Sequence, residues 1–316
     1  MAAIGIMLEG QEGLTWERFF RLAEAVERLG FESLFRSDHL TSLDGFSNRP
    51  TLALWPSLTA LALRTNRIRF GPMVCSVTFR QPALLAKMAT AVSVLANGRL
   101  DLGIGAGWYE GEHRMFGIDF PRYGTRLEML DEAAQVIKGL WSGEATTFHG
   151  RHYRLEAAED RPTPPGNPPT LIMGGKGKKT LKVVARHATE WNFSYGSVDY
   201  FRQKSGELDE RCREIGRDPA EITRSLMVPF VIGRDDTAVQ KRIDAHREIF
   251  PDLPATPVEW RAAGFPGGTP PQLTEQLQAF AGAGVERFML QQNDLDDVDS
   301  LELLASEVMP HVMRET

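Results

Sequence analysis

The sequence is poor in cysteine and has no excess of positive charge. Its two cysteines, Cys75 and Cys212, stand far apart in the chain, so we expect no disulfide framework. The net charge is −6 and no basic block is present, so we expect no nucleic-acid partner. The longest apolar run, at residues 52–63, is too short to span a bilayer. Because residues 1–9 also lack the sections of a signal peptide, we expect a cytoplasmic protein.

Several common catalytic and binding motifs are also missing. There is no G-x-S-x-G segment, so nothing supports a hydrolase nucleophile. The glycines at residues 105–107 lack the partners of a dinucleotide fingerprint, and the lysines after Gly175 do not complete a P-loop. Glu110, Glu112 and His113 do not have the spacing of H-E-x-x-H. We interpret them as the solvated start of a helix and expect no metal.

The chain does contain enough apolar residues for a large core. Of its 316 residues, 42% are hydrophobic and 25% are charged, and no change in composition divides them. We therefore predict a single domain over residues 1–316. Eight apolar segments alternate with helical patterns, at residues 3–8, 31–36, 67–74, 99–106, 170–173, 190–195, 223–232 and 285–291. This alternation predicts an α/β fold with a parallel sheet, and eight units predict a closed (β/α)8 TIM barrel.

The clearest strand–helix–strand unit lies at residues 67–113. Pro82 opens its helix and Asn97-Gly98 ends it. A helical crossover of this size makes the two strands parallel. Two short runs at residues 146–154 predict a β-hairpin before the fifth barrel strand. Residues 251–271 are rich in proline and glycine and long for a connection, so we interpret them as a mobile cover.

Residues at the carboxyl ends of the strands are candidate site residues, because catalytic groups of such barrels lie there. They are Glu9, Asp38, His39, Cys75, Ser76, Gly105, Ala106, Gly107, Trp108, Gly174, Gly175, Lys176, Asn192, Ser194, Gln291 and Gln292. His39 can exchange a proton near neutral pH, and the carboxylate of Asp38 would hold its charged form. Alternatively, Asp38 caps a turn and His39 makes a structural hydrogen bond.

Two glycine segments each have two interpretations. Gly105 and Gly107 serve either tight barrel packing or the close approach of a flat ligand. The Gly174-Gly175-Lys176 segment leads from a strand into a helix. Its free amides and positive charge suit a phosphate, or it is an ordinary turn with solvated lysines.

The chain resembles the luciferase-like monooxygenase superfamily, and within it the branch that uses the deazaflavin coenzyme F420. The resemblance rests on Ser37-Asp38-His39 and on residues 77–87, 97–113 and 168–175. It runs through nearly the whole barrel and includes the hairpin. It implies an enzyme, an oxidoreductase whose tricyclic cofactor lies against a bulge near Met73-Val74-Cys75 that holds a non-proline cis peptide.

The resemblance also implies roles for particular residues. His39 would be catalytic and face the substrate. The cofactor, F420 or alternatively FMN, would contact Asp38, Val74, Cys75, Ser76, Gly105, Ala106, Gly107, Met173, Gly174, Gly175 and Lys176, with its phosphate on Gly174 and Gly175. The substrate pocket would contain Glu9, Trp108 and Tyr109, with its shape set in addition by Phe46.

Three functions are compatible with the resemblance. The first is F420-dependent hydride transfer to or from a small organic substrate. The second is an FMN-dependent monooxygenase that takes reduced flavin from a partner reductase, and the third is a barrel that binds a flavin or deazaflavin without turnover. Trp108 follows Gly107 where the sugar-phosphate dehydrogenases of the family place a glutamate. This departure argues against sugar-phosphate oxidation and for an apolar or aromatic pocket wall. Barrels of this type often pair through helices, so a homodimer is expected.

Overall fold

The computed structural model describes residues 2–43 and 48–312 of the chain. Thirteen strands lie within these residues. They are β1 (Ala3–Leu8), β2 (Ser33–Arg36), β3 (Arg69–Pro72), β4 (Cys75–Ser76), β5 (Leu102–Gly105), β6 (Thr146–His149), β7 (Arg154–Ala158), β8 (Leu171–Gly174), β9 (Glu190–Ser194), β10 (Thr223–Pro229), β11 (Val231–Ile232), β12 (Gly267–Gly268) and β13 (Arg287–Gln291).

Twelve α-helices lie in the same described residues, most of them between barrel strands. They are α1 (Trp16–Arg28), α2 (Leu54–Arg64), α3 (Pro82–Leu95), α4 (Glu110–Phe116), α5 (Tyr123–Trp141), α6 (Lys178–His187), α7 (Val198–Glu214), α8 (Asp236–Ile249), α9 (Pro257–Ala262), α10 (Pro270–Gly282), α11 (Val298–Glu307) and α12 (Met309–Val312), with a 3-10 turn at Pro219–Glu221. None of these helices has the length and apolar content that a bilayer span requires.

Nine strands form one parallel sheet in the order β3-β2-β1-β13-β10-β9-β8-β5-β4. The two ends of this sheet meet, because the amide of Phe70 donates to the carbonyl of Arg99 at 3.1 Å and the amide of Asp101 donates to the carbonyl of Phe70 at 2.9 Å. β3 pairs with β2 and β4 pairs with β5. Together β3 and β4 therefore occupy one position, and the barrel has eight. The predicted (β/α)8 fold is confirmed.

The sequence predicted one continuous strand over residues 67–74, but the third barrel strand is interrupted. It breaks at the Met73–Val74 peptide bond, which is cis, and resumes at Cys75. Gly71-Pro72, just before the break, is the local signal that the prediction of one strand did not use. The non-proline cis peptide itself is confirmed at the place that the family resemblance implied.

The predicted strand at residues 223–232 is two strands with different partners. β10 stays in the barrel, while β11 pairs with β12 outside it. Residues 251–271 are not a structureless connection, since they contain α9 and β12. The buried indole of Trp260 anchors this segment to Val231 and α8 in a small separate core. A role of the segment as a cover stays a prediction.

Local signals in the sequence set both ends of α3 as predicted. Pro82 is in the first turn of α3, and the side chain of Gln81 accepts a hydrogen bond from the amide of Leu84. Asn97 and Gly98 end that helix in the left-handed conformation, with φ of 53° and 82°. The predicted hairpin is formed by β6 and β7, which pair antiparallel.

The inside of the barrel is filled in two layers below its C-terminal opening. The upper layer is apolar and consists of Met7, Phe35, Met73, Ile172 and Met289. Flexible methionine side chains fill an irregular space of this kind well. The larger core, between the sheet and the surrounding helices, is also apolar. The side chains of the upper layer therefore form the floor of the space at the C-terminal opening of the barrel.

The lower layer is a buried ionic cluster around Arg287. Its guanidinium donates to Asp101 at 3.1 Å, to Glu190 at 3.0 Å and to Glu32 at 2.9 Å. Arg69 makes a second contact with Asp101. Burial opposes ionisation of Asp101, but Arg287 and Arg69 outweigh it and lower the pKa of Asp101. Arg287 is therefore the shared counter-charge of three carboxylates from three different parts of the chain.

Replacing Arg287 tests this cluster. We expect Arg287→Met to lower the free energy of unfolding by about 3–5 kcal/mol, because it leaves the buried carboxylate of Glu190 without a cation and leaves Asp101 with Arg69 alone. Arg28→Met is the matched control, since Arg28 forms an exposed ion pair with Glu302 and should change stability by less than about 1 kcal/mol. Urea unfolding midpoints measure both. Equal small losses for the two variants would show that the cluster contributes little.

Candidate active site

A cavity of about 430 Å³ opens at the C-terminal end of the barrel. Most of the predicted site residues line it: Glu9, Asp38, His39, Val74, Ser76, Gly105, Ala106, Gly107, Trp108, Gly174, Gly175, Asn192 and Ser194. The rest of the wall comes from Met7, Ser37, Leu43, Met73, Phe79, Glu112, Tyr123, Thr180, Tyr195 and Met227. The structure thus brings together residues between Met7 and Met227 at the carboxyl ends of the strands.

Val74 occupies a space left by two glycines on the neighbouring strand β5. A Cβ atom on Gly105 would lie 2.7 Å from Cγ2 of Val74, and one on Gly103 would lie 2.9 Å from its Cγ1. Such contacts are too short, so the packing of Val74 requires both glycines. Gly105 also lines the cavity. The packing interpretation is therefore confirmed for it, while the close approach of a flat ligand stays a prediction.

Cys75 and Met173 lie behind the cavity wall rather than in it, and both are completely buried. Burial raises the pKa of the Cys75 thiol well above its usual value, and the neighbouring carboxylate of Asp38 raises it further. Cys75 is therefore a neutral packing residue. The side chains of these two residues do not reach the cavity.

Asp38 is held by an arginine that sequence reasoning did not assign. Arg80 donates to both carboxylate oxygens, with 3.0 Å between Nη2 and Oδ1. Burial raises the pKa of Asp38, and the guanidinium of Arg80 opposes this rise. Because the bidentate contact fixes the carboxylate, Asp38 lines the cavity with its charge already paired.

His39 is oriented by Glu112, not by the adjacent Asp38. Its Nδ1 lies 2.9 Å from Oε1 of Glu112, and the other oxygen of that carboxylate accepts from the amide of Leu40 at 2.9 Å. Burial opposes the charged imidazole, but the hydrogen bond and charge of Glu112, with the charges of Glu9 and Asp38, outweigh it and raise the pKa of His39. Nε2 has no hydrogen-bond partner among the described residues.

The interpretation of residues 110–113 as a solvated helix start is wrong for Glu112 and His113. Both are buried, whereas Glu110 is exposed. Nδ1 of His113 lies 2.8 Å from the carbonyl oxygen of Tyr109 and must donate to it, so Nε2 is free to accept from Thr78 at 2.6 Å. His113 therefore anchors the loop before α4 and, with it, Glu112.

Glu9 lies at the same end of the cavity and is held by two amide groups. Gln11 donates to Oε2 at 2.9 Å and Gln291 donates to Oε1 at 2.6 Å. Tyr195 is directed towards this pair: burial raises the pKa of its phenol, the charge of Glu9 raises it further, and a hydrogen bond with Gln291 opposes the rise. We call the part of the cavity formed by Glu9, His39, Leu43, Trp108, Glu112 and Tyr195 the histidine end.

The opposite part of the cavity is formed by Gly174, Gly175, Thr180 and Tyr123, and we call it the anion end. The hydroxyl groups of Tyr123 and Thr180 are 2.7 Å apart. Thr180 lies in the first turn of α6, where amide groups have no carbonyl partner within the helix. The dipole of this helix and its free amides favour an anion here.

Lys176 does not contribute its charge to the anion end. Its Nζ donates to the carbonyl oxygens of Ser194 at 2.8 Å and Tyr195 at 2.9 Å, and it lies over the rings of Phe193 and Tyr200. Burial lowers the pKa of Lys176, and Lys204 lowers it further. Lys176 instead ties the strand-end loops together.

Trp108 and Tyr109 are in different positions relative to the cavity. Trp108 lines its mouth with 64% of its surface exposed, and its ring centre is 5.5 Å from that of His39. Tyr109 precedes α4 and contacts His39 at 6.4 Å between ring centres without lining the cavity. Phe46 lies outside the residues that the structure describes.

Five residues of the site were not predicted from the sequence: Arg80, Glu112, Tyr123, Thr180 and Tyr195. Arg80 and Glu112 fall inside segments that carry the family resemblance, and this was the available signal for them. The other three lie in the elements that follow strand ends, but spacing does not show which side they face. Within residues 2–43 and 48–312, no group of three His, Cys, Asp or Glu side chains is arranged to hold a metal ion.

Comparison with known proteins agrees with this geometry. The family model described as luciferase-like monooxygenase matches residues 2–292. The chain belongs to the luciferase-like monooxygenase family. It is therefore an oxidoreductase by class.

Relatives of this family member fall into two cofactor groups. An F420-dependent glucose-6-phosphate dehydrogenase of Microbacterium testaceum is 27% identical, with 91% of each chain covered. An FMNH2-dependent dimethylsulfone monooxygenase of Pseudomonas fluorescens is 24% identical, with 95% of this chain and 87% of the relative covered. Among solved structures, an F420-dependent secondary alcohol dehydrogenase with an F420-acetone adduct superimposes with a TM-score of 0.83 at 20% identity, covering 99% of both chains. A deazaflavin or flavin cofactor is thus supported.

The role of Glu112 can be tested without any substrate. We expect Glu112→Gln to lower the pKa of His39, because the substitution removes the charge that favours the imidazolium and leaves the effect of burial. Glu110→Gln changes an exposed carboxylate on the same helix and should leave that pKa unchanged. NMR titration of the His39 ring measures both variants. A pKa of His39 that is the same in Glu112→Gln and wild type would contradict the assignment.

Proposed function

We propose that the protein uses coenzyme F420 to transfer hydride to or from a small organic substrate, with His39 handling the accompanying proton. The observation that carries the proposal is the His39–Glu112 pair. Glu112 fixes Nδ1 of the ring, so Nε2 is the nitrogen available to a substrate oxygen in the cavity. An imidazole oriented by a carboxylate is a usual arrangement for general acid–base catalysis.

The cavity fits a tricyclic ring with a phosphorylated side chain. Val74 and the glycines beside it form one wall of the cavity. Because packing allows no side chain at Gly103 or Gly105, this wall has little relief and suits a flat ring. The anion end offers helix amides and two hydroxyl groups for a phosphate. When bound there, F420 would supply a ring carbon that gives or accepts hydride.

The proton step belongs to His39. When an alcohol is oxidised, neutral His39 accepts the hydroxyl proton at Nε2, and when a carbonyl is reduced, charged His39 returns it. The raised pKa of His39 means that oxidation should slow as the pH falls through this pKa, while reduction should slow as the pH rises through it. Glu112 acts as a positioning residue in both directions.

A second candidate is an FMN-dependent monooxygenase supplied with reduced flavin by a partner reductase. The similarity to FMNH2-dependent dimethylsulfone monooxygenases supports it, and a flavin phosphate would suit the same anion end. A flavin activates oxygen, whereas a deazaflavin is poor at this reaction. The third candidate is a barrel that binds its cofactor without turnover. It would give the His39–Glu112 pair no catalytic role, so the pair argues against it.

A side-by-side titration of the apoprotein separates the two cofactors. We expect F420 to bind with a dissociation constant in the micromolar range, about the scale of enzyme ligands, and FMN to bind at least about ten times more weakly. Fluorescence of each cofactor measures the binding. Equal or tighter binding of FMN, together with oxygen consumption by the FMNH2-loaded protein, would favour the monooxygenase instead.

Substitution of His39 separates catalysis from binding alone. We expect His39→Gln to lower turnover of F420 with an active alcohol or carbonyl substrate by about 10²–10⁴-fold, the usual contribution of a general acid–base group, with little change in F420 affinity. The control is His149→Gln, because His149 is an exposed residue of the β6–β7 hairpin. Unchanged turnover in His39→Gln would remove His39 from the mechanism.

A further inference from the structure

We infer that the substrate is an uncharged alcohol or carbonyl compound with an apolar, preferably aromatic, group, and that Glu9 excludes anionic substrates. The inference rests on the proposed function and names the substrate class of the same site. Its basis is the contrast between the two ends of the cavity. The anion end attracts negative charge, and the histidine end presents carboxylates.

No lysine or arginine side chain lines the cavity among the described residues. The four residues at 44–47, which follow Leu43 in the sequence, are Asp-Gly-Phe-Ser and include no basic residue. A phosphate or carboxylate on the reacting part of a substrate would therefore meet no lysine or arginine there, and the one imidazole, His39, is already paired with Glu112. Among the described residues, the part of the cavity that favours an anion is the anion end, which the cofactor phosphate would occupy.

The three carboxylates near His39 are not equivalent. Asp38 is paired with Arg80, and Glu112 binds His39 and the amide of Leu40. Glu9 is held by the neutral amides of Gln11 and Gln291. Its negative charge is therefore offset by dipoles rather than by a directly bound cation among the described residues.

Arg36 is a buried cation whose charge interacts with that of Glu9. Its hydrogen-bond donors, however, bind other groups. They bind the carbonyl of Leu52 at 2.7 Å, the hydroxyl of Ser57 at 2.7 Å and the carbonyl of Ser37 at 3.2 Å. Arg36 does not line the cavity. A ligand at the histidine end can thus contact the carboxylate of Glu9, whereas other protein groups separate it from the guanidinium of Arg36.

Apolar and aromatic groups complete the histidine end. The exposed ring of Trp108 stands edge-on to His39, with an angle of 84° between the two planes. Leu43 and Tyr195 add further carbon surface. An aromatic or branched apolar group packed on Trp108 would bring a neighbouring hydroxyl or carbonyl oxygen to His39.

The reaction of such a substrate is balanced within the proposed function. In the oxidation of a secondary alcohol, the carbinol C–H bond breaks and its hydride passes to oxidised F420. The O–H bond breaks and its proton passes to Nε2 of His39, and a C=O bond forms. Reduction of the ketone by reduced F420 is the reverse, so no further oxidant or reductant is needed.

The test compares two probes of the same shape and different charge on the F420-loaded protein. They are 4-(1-hydroxyethyl)benzamide, which is neutral, and 4-(1-hydroxyethyl)benzoate, which is an anion. We expect the amide to bind at least about ten times more tightly, because a like charge beside Glu9 is costly in a partly buried site. Calorimetry gives the affinities, and reduction of F420 gives the turnover. If the carboxylate binds as tightly as the amide, or if neither probe binds, the inference is overturned.

Substitution of Glu9 assigns the selectivity to one residue. Glu9→Gln keeps the size of the side chain and should reduce the amide-to-carboxylate affinity ratio by about threefold or more. Glu110→Gln removes an exposed carboxylate near the cavity and should leave the ratio unchanged. An unchanged ratio in Glu9→Gln would overturn the role of Glu9, and the wild-type ratio still tests the substrate class if this variant fails to fold. Failure of the protein to bind F420 or FMN would instead overturn the proposed function.

Discussion

The packing of Val74 between Gly103 and Gly105 is the contact on which the rest of the site depends. At this point the third barrel strand leaves β2 and joins β5, so the ring of strands closes here. Val74 also lines the cavity. A side chain on either glycine would push it out of place. One contact therefore links the closure of the barrel to the shape of the wall against which a flat ring would lie.

Three layers follow one another along the barrel axis: an ionic cluster, an apolar layer and the cavity. The ionic cluster around Arg287 closes the lower end, and the methionine-rich layer above it separates that cluster from the cavity. In the cavity, the first turn of α6 favours an anion on one side, while Glu9 and the His39–Glu112 pair occupy the other. Because low-dielectric surroundings strengthen such fields, the two ends would orient a bound ligand of the kind proposed, with its phosphate at one end and its reacting centre at the other.

The sequence predicted the fold and the strand-end residues, because alternating apolar segments and helices give both the barrel and its active edge. It could not predict contacts between distant loops. Glu112 lies 73 residues from His39 and Arg80 lies 42 residues from Asp38, and no local pattern records either pairing. Charge alone was also misleading for Lys176, whose amine binds carbonyl groups instead of an anion. Folding, not spacing, decides which groups a side chain meets.

A crystal structure of the protein with F420 or FMN would show directly whether the cofactor ring lies against Val74 with its phosphate at the anion end. We expect a tricyclic ring lying against Val74 and Gly105, with its phosphate within hydrogen-bond distance of the amide of Thr180 in the first turn of α6. The edge of the ring that reacts should face His39. A phosphate bound beside Glu9, or a cofactor outside the barrel opening, would contradict the account.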